Sequence, residues 1–246
     1  RVGYGPDGPP FAYRNAAGRV VGFDVDLIQH LAAELGVTLR LVPVAMDAIA
    51  DGFDADRFDL AVGGIPSSLR NLARFDQSRA YLELHAALIV ADHRVRDFQS
   101  LATIRQLDSL RVGYARGGLL VRTGRNDVGD LELVEVADPG SFLAEDDILG
   151  AMEVDAFLTT AERGAVLAMR HPQLSVVVPE GVYVKVPVVF AVQRSSELDR
   201  VVDTWIQLQR DDGTIEALYD HWILGKRPIE ERSRWSVVRD VLGWVD

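Results

Sequence analysis

Apolar and polar positions alternate with two distinct periods along the first quarter of the chain. Residues 20–23 have strand character, and residues 24–36 then place Leu27, Ile28, Leu31 and Leu35 at helical spacing, with Gly36 as a stop. Residues 39–44 predict a second strand and residues 48–56 a second helix. Residues 60–62 follow as a buried strand that ends on Gly63-Gly64. Such alternation of β and α units predicts an α/β protein whose largely parallel sheet is covered by helices on both faces.

The segment Arg111-Val112-Gly113-Tyr114 repeats Arg1-Val2-Gly3-Tyr4 letter for letter, and each copy heads a new β/α series. This placement predicts two similar Rossmann-like lobes. Two β-rich stretches, residues 81–90 and 182–193, are long enough to act as hinge strands crossing between them, and two crossings return the C-terminal residues to the first lobe. The expected division is lobe 1 over residues 1–88 and 190–226 and lobe 2 over residues 89–189. Beyond them, Trp235, Val238, Leu242 and Val245 recur at helical spacing, which predicts a C-terminal helical extension over residues 227–246. That helix packs on its own lobe or docks on another protein domain. A cleft between two β/α lobes is the usual place for a small-molecule site.

Composition narrows the function. With 48% hydrophobic and 26% charged residues, the 246-residue chain is expected to be globular and able to build one large core or two small ones. Its 26 Lys and Arg against 37 Asp and Glu leave a net charge of -11, which repels phosphate backbones, so nucleic acid is not an expected partner. The absence of cysteine excludes disulfides and thiolate chemistry and leaves the redox compartment open. No apolar run approaches the roughly 20 residues that span a bilayer. The chain opens on a strand-like segment without a basic and an apolar leader region, so a signal peptide is expected to have been removed. His30, His85, His93, His171 and His221 show no metal-binding spacing, and no phosphate-loop, dinucleotide or G-x-S-x-G motif occurs. No metal, cofactor or catalytic residue is therefore expected.

Three blocks resemble the first lobe of a known family: Pro9-Pro10-Phe11-Ala12-Tyr13, Val21-Gly22-Phe23-Asp24-Val25-Asp26-Leu27, and Phe58-Asp59-Leu60-Ala61-Val62-Gly63-Gly64. Leu107-Asp108-Ser109-Leu110, Val154-Asp155-Ala156-Phe157-Leu158 and the stretch from Ser196 through Asp212-Gly213-Thr214-Ile215 to Trp222 continue the similarity, in order, over about residues 1–225. The chain thus resembles the periplasmic amino-acid-binding proteins, the family 3 extracellular solute-binding proteins of type II two-lobed fold, which deliver polar amino acids to ABC transporters.

The resemblance implies ligand contacts that transfer unevenly. An aromatic that stacks on the ligand in the family is replaced by Gly8, unless Tyr4, Phe11 or Tyr13 takes its role. Met46 stands where an apolar or aromatic contact is usual, with core packing as its alternative. After Gly64 the family has hydroxyl residues, here Ser67 and Ser68, and an Arg that pairs bidentately with the ligand carboxylate. Ungapped alignment puts that position on Asn71, and a one-residue deletion puts it on Arg70, the favoured choice. Otherwise Arg70 and Arg74 are solvated helix residues and one serine is an N-cap. In the second lobe the family's anion-binding loop corresponds to Arg116-Gly117-Gly118, with backbone donors kept and hydroxyls lost. The Asp that meets the ligand ammonium becomes Thr160. Glu162 could replace it, although Thr159-Thr160-Ala161-Glu162 also fits a capping box, the preferred assignment.

The resemblance therefore implies a non-enzymatic receptor that closes over a small carboxylate ligand, an amino acid, acidic ones included, or a dicarboxylate. A periplasmic or otherwise extracytoplasmic monomer is expected, free or tethered, with transporter subunits or a fused membrane domain as partner. Two alternatives stay open: a prephenate or arogenate (cyclohexadienyl) dehydratase with Glu162 as general acid, and the ligand-sensing domain of a receptor.

Overall fold

The computed structural model describes residues 1–116, 131–136, 145, 147–182, 184–194 and 196–225. Gly117, Gly118 and the helical extension expected over residues 227–246 lie outside the described residues. In chain order the first half contributes β1 (Val2–Tyr4), β2 (Asp7–Gly8), β3 (Ala12–Arg14), β4 (Val20–Val21), α1 (Phe23–Glu34), β5 (Leu41–Pro43), α2 (Ile49–Asp54), β6 (Leu60–Pro66), α3 (Leu69–Leu72) and β7 (Asp76–Gln77). Strand β8 (Leu82–Ala91) crosses to a second half holding α4 (Leu101–Ile104), β9 (Leu110–Ala115), β10 (Leu131–Val136), α5 (Ile148–Ala151), β11 (Ala156–Thr160), α6 (Ala161–Arg170) and β12 (Leu174–Val177). Strand β13 (Lys185–Val192) crosses back, and α7 (Leu198–Asp211) and α8 (Thr214–Trp222) follow it.

The large sheet runs β10-β9-β11-β8-β13-β6-β1-β5. Its two ends are built alike. Strand β1 lies between parallel neighbours β5 and β6, as β9 lies between parallel β10 and β11, and the inner strand of each trio meets a crossing strand antiparallel. The repeated Arg-Val-Gly-Tyr therefore marks equivalent central strands. Its glycine has a packing reason in both halves: a Cβ on Gly3 would stand 3.0 Å from the Phe58 ring, and one on Gly113 3.0 Å from Phe157 and 3.2 Å from Val154. In each half the aspartate that opens the next strand anchors the repeat, Asp59 N–H donating to Arg1 O and Asp155 N–H to Arg111 O.

Both faces of the sheet are buried, as its parallel ends require. Leu60 and Val62 of β6 join one apolar cluster with α1, α7 and α8, while Ala61 and Ile65 face a second with α2. The second half repeats this division, with Val90 and Val112 on one face and Ile89 and Val136 on the other. The C-terminal helices return to the first half, where Trp222 Nε1 donates to Asp26 at 2.8 Å and Trp205 Nε1 to Glu34 at 3.1 Å.

Several element boundaries differ from the sequence reading. The strand expected over residues 20–23 stops at Val21 and belongs to a small separate sheet, β2-β3-β4. Gly22, at φ 136°, turns the chain straight into α1 at Phe23. The helix expected over residues 48–56 is a single 3-10 turn followed by α2, which ends before Asp56 takes φ 49°. The strand expected to end at Val62 runs through both glycines to Pro66.

Asp24, in the first turn of α1, is fully buried and holds this region together. Its Oδ2 accepts the N–H groups of Gly63 at 2.7 Å and Gly64 at 2.8 Å, and its Oδ1 accepts the Tyr81 hydroxyl at 2.6 Å. One carboxylate thus joins a helix start, the glycine turn of β6 and the approach to the crossing strand β8. Burial outweighs these three donors and raises the Asp24 pKa from 3.8 to about 6, while burial and the neighbouring carboxylate push the Tyr81 hydroxyl well up.

Two outcomes follow for stability. Gly22→Ala would add a Cβ 2.3 Å from the Phe11 carbonyl oxygen at a φ that disfavours L side chains, and is expected to lower unfolding free energy by more than about 2 kcal/mol in urea titrations. A loss of a few tenths would contradict this packing. Between pH 3.8 and about 6 the folded chain holds the Asp24 proton more tightly than the unfolded chain, so this group's contribution to stability falls as pH rises through that window. The stability difference between wild type and Asp24→Asn should decline by roughly 2 kcal/mol from pH 4 to pH 7. A difference that stays flat, or grows with pH, refutes the assignment.

Candidate functional site

The glycine turn that Asp24 holds from behind presents its other side to the space between the halves. Gly63 and Gly64 sit at φ 129° and 68°, and a Cβ on Gly64 would fall 2.6 Å from the Phe11 ring. This conformation directs the Gly63 carbonyl toward the second half, where Arg163 Nη2 of α6 donates to it at 2.7 Å. The peptide between Gly63 and Gly64 therefore has a guanidinium on its carbonyl and a buried carboxylate on its N–H. The Arg163 guanidinium also lies over the Phe11 ring, 5.6 Å from its centroid. Burial pulls the Arg163 pKa down, and the charge of Asp24 opposes that shift.

Beside this bridge lies a cleft of about 440 Å³. One wall comes from the first half, with Met46, Gly64, Pro66, Arg70, Asn71 and Arg74, and the other from the second, with Tyr114, Arg116, Phe157, Thr160 and Arg163. Leu84 and Val186 of the crossing strands line it as well. Among the described residues four guanidinium groups line this cleft and Asp47 is the one carboxylate, an inversion of the chain's overall charge of -11. Arg70 is exposed and, among the described residues, has no hydrogen-bond or ion-pair partner. The others are engaged: Arg74 with the Asp47 carbonyl at 3.2 Å and Asp51 at 3.6 Å, and Arg116 with Glu135 at 2.9 Å.

The structure brings together six of the residues singled out in the sequence, namely Met46, Gly64, Arg70, Asn71, Arg116 and Thr160. Asn71 and Arg70 both reach the cleft wall, but the Asn71 amide donates to Pro66 O at 3.0 Å and is spent on its own turn. Four others are placed elsewhere. Ser67 donates to Gln77 Oε1 at 2.8 Å, Ser68 caps α3 by accepting the Asn71 N–H, and Phe11 is a core residue beneath Gly64. Glu162 is buried and its Oε1 meets the Tyr219 hydroxyl of α8 at 3.5 Å. The capping box does not form, because Thr160 and not Thr159 is the N-cap, accepting the Arg163 N–H at 3.4 Å. Glu162 Oε2 consequently has no partner among the described residues. Of the aromatic stand-ins for Gly8, Tyr4 is buried and bonded by Arg14, while Tyr13 packs edge-on against Trp222. Gly117 and Gly118 lie outside the described residues.

Arg163 and Asp24 were not singled out from the sequence. Asp24 stands in a recognisable block, but its partners are two backbone N–H groups and a tyrosine far along the chain. Among the described residues no group of three or more His, Asp or Glu is placed to hold a metal ion, and no helix is long and apolar enough to cross a membrane.

A family model for the bacterial extracellular solute-binding proteins, family 3, matches residues 1–225. A cyclohexadienyl dehydratase of Pseudomonas aeruginosa is 27% identical over 223 residues, covering 91% of this chain and 82% of that protein. The L-cystine-binding protein TcyJ of Escherichia coli is 24% identical over 214 residues, 87% of this chain and 78% of that one. Among solved structures, the lysine complex of a putative ABC-transporter binding component from Wolinella succinogenes superposes with a TM-score of 0.77 at 22% identity, over 94% of this chain and 98% of that one. An ancestral amino acid-binding protein described as a precursor of cyclohexadienyl dehydratase gives 0.75 at 24% identity, over 91% and 94%. These likenesses show the two-lobed type II binding-protein fold, and the chain belongs to the bacterial extracellular solute-binding proteins, family 3.

Proposed function

We propose that the chain is an extracytoplasmic solute receptor that captures a small carboxylate-bearing molecule, an acidic amino acid or a dicarboxylate, between its lobes and serves a membrane transporter by closing over it. The observation that carries this reading is Arg70, a guanidinium without a partner among the described residues on one wall, facing a second wall that bears Arg116. A ligand carboxylate gives Arg70 the bidentate partner it lacks, and a second one competes with Glu135 for Arg116. The N-terminus of α6 at Thr160 adds a favourable dipole. The moving bodies are residues 1–88 with 190–226 and residues 89–189, and a ligand that touches both stabilises the closed arrangement. The binding-protein relatives support a transporter as partner.

The dehydratase relative supports a second reading, an enzyme acting on prephenate or arogenate. That chemistry needs a general acid at the ligand. Glu162, the acid nominated for it, faces Tyr219 and is not among the described residues that line the cleft, which favours the receptor reading.

Thermal unfolding with the twenty amino acids, C4–C6 dicarboxylates, prephenate and arogenate separates these readings. A ligand at 100 times its Kd adds about 2.7 kcal/mol of stability, a clear rise in Tm. Stabilisation by a carboxylate ligand, with affinity reduced about 10–100-fold by Arg70→Ala, is the expected result. Turnover of prephenate or arogenate establishes the enzyme, and an equal response of wild type and Arg70→Ala to every compound removes Arg70 as the carboxylate anchor.

A further inference from the structure

A second chamber of about 330 Å³ adjoins the cleft, bounded by the β2–β3 hairpin with Gly8, Tyr13 and Arg14 and by the outer turns of α6. Phe157, Thr159 and Arg163 line both chambers. Phe157 and Thr159 belong to β11, whose backbone pairs with β8 and β9, whereas Arg163 comes from α6; of these three described residues it is the one that lies off the sheet. Its guanidinium sits where three features of the first lobe favour a cation. The Gly63 carbonyl accepts from it at 2.7 Å, the face of Phe11 lies beneath it, and the buried Asp24 carboxylate holds the same glycine turn from behind. Gly8 lies alongside the guanidinium, where a Cβ would stand 3.7 Å from Arg163 Nη2, an ordinary contact distance.

We propose that Arg163 is a specificity-determining residue, a tethered guanidinium from the second lobe that occupies a cation seat on the first, so that cationic solutes are refused and the captured solute is confined to the larger chamber. This rests on the reading of the cleft as a solute site. The seat carries the charge complement of a guanidinium and is already full, so an incoming ammonium or guanidinium meets a like charge and a Gly63 carbonyl that is already taken. Truncating Arg163 at Cβ joins the chambers and leaves the Gly63 carbonyl open. The helix start survives, because the Thr160 cap uses the backbone N–H of residue 163.

The test is calorimetric titration of wild type, Arg163→Ala and Arg163→Met with ethylguanidinium, which reproduces the atoms removed by the alanine, and with L-arginine. Wild type should bind neither measurably. Arg163→Ala should bind both, at least tenfold more tightly than wild type, and Arg163→Met, which refills the space with an apolar chain, should bind neither. A folded Arg163→Ala that refuses both probes, a wild type that binds L-arginine as tightly as Arg163→Ala, or an Arg163→Met that gains as much as Arg163→Ala overturns the proposal. Should Arg163→Ala be unfolded in buffer, ethylguanidinium should restore its folded circular dichroism where equal ethylammonium does not, and failure to do so also overturns it. The ethylguanidinium arm involves no carboxylate. Arg70 and the dicarboxylates can therefore fail while the Arg163 result stands, or the reverse.

Discussion

The structure turns on a single buried carboxylate. Asp24 accepts from two consecutive glycine N–H groups and one tyrosine hydroxyl, and through them a helix start, a strand turn and the entry to a crossing strand hold one arrangement. An unpaired carboxylate at that depth would be prohibitively costly, and three donors still leave it easier to protonate than a free aspartate. The glycines are needed because the backbone must turn both N–H groups inward while one carbonyl faces out, a conformation at positive φ that a side chain would oppose and for which the Phe11 ring leaves no room at Gly64. That outward carbonyl is then available to Arg163, so the core acid and the cleft cation meet on opposite ends of one peptide group.

The charge of the cleft is likewise set by local construction rather than by composition. The chain is acidic overall, yet α3, the end of β9 and the first turn of α6 bring arginines to a common space where, among the described residues, one carboxyl lines the wall. Low-dielectric walls concentrate that field, so a small anion experiences the cleft and not the average surface. The pairing state of each arginine matters more than the number of them. Arg116 and Arg74 are partly neutralised by protein groups, which leaves Arg70 with the largest unmet demand.

Much of the architecture was legible in the sequence because it depends on patterns of side chains along one segment. The repeated Arg-Val-Gly-Tyr marks strands of equivalent rank, and the two β-rich stretches fall on the crossings. What escaped depends on backbone atoms. Ser67 and Ser68 offer hydroxyls next to the glycine turn, but a glutamine side chain and the start of α3 take them. Two adjacent threonines left the start of α6 ambiguous by one residue, and a shift of one residue rotates a helix by about 100°, enough to carry Glu162 from a capping position to Tyr219. Arg163 donates to a main-chain carbonyl 100 residues earlier, and such an acceptor leaves no trace in residue identity.

The four apolar clusters bear on how the molecule can move. Two flank the sheet in each half, and none draws residues from both walls of the cleft. A change in the angle between the halves therefore leaves each oily interior intact and exposes only the cleft walls, where arginines and main-chain carbonyls stand beside a few apolar side chains such as Met46 and Phe157. Such a hinge breaks no core, the regime in which a solute supplying a few contacts to both walls is enough to decide the position of the whole second half.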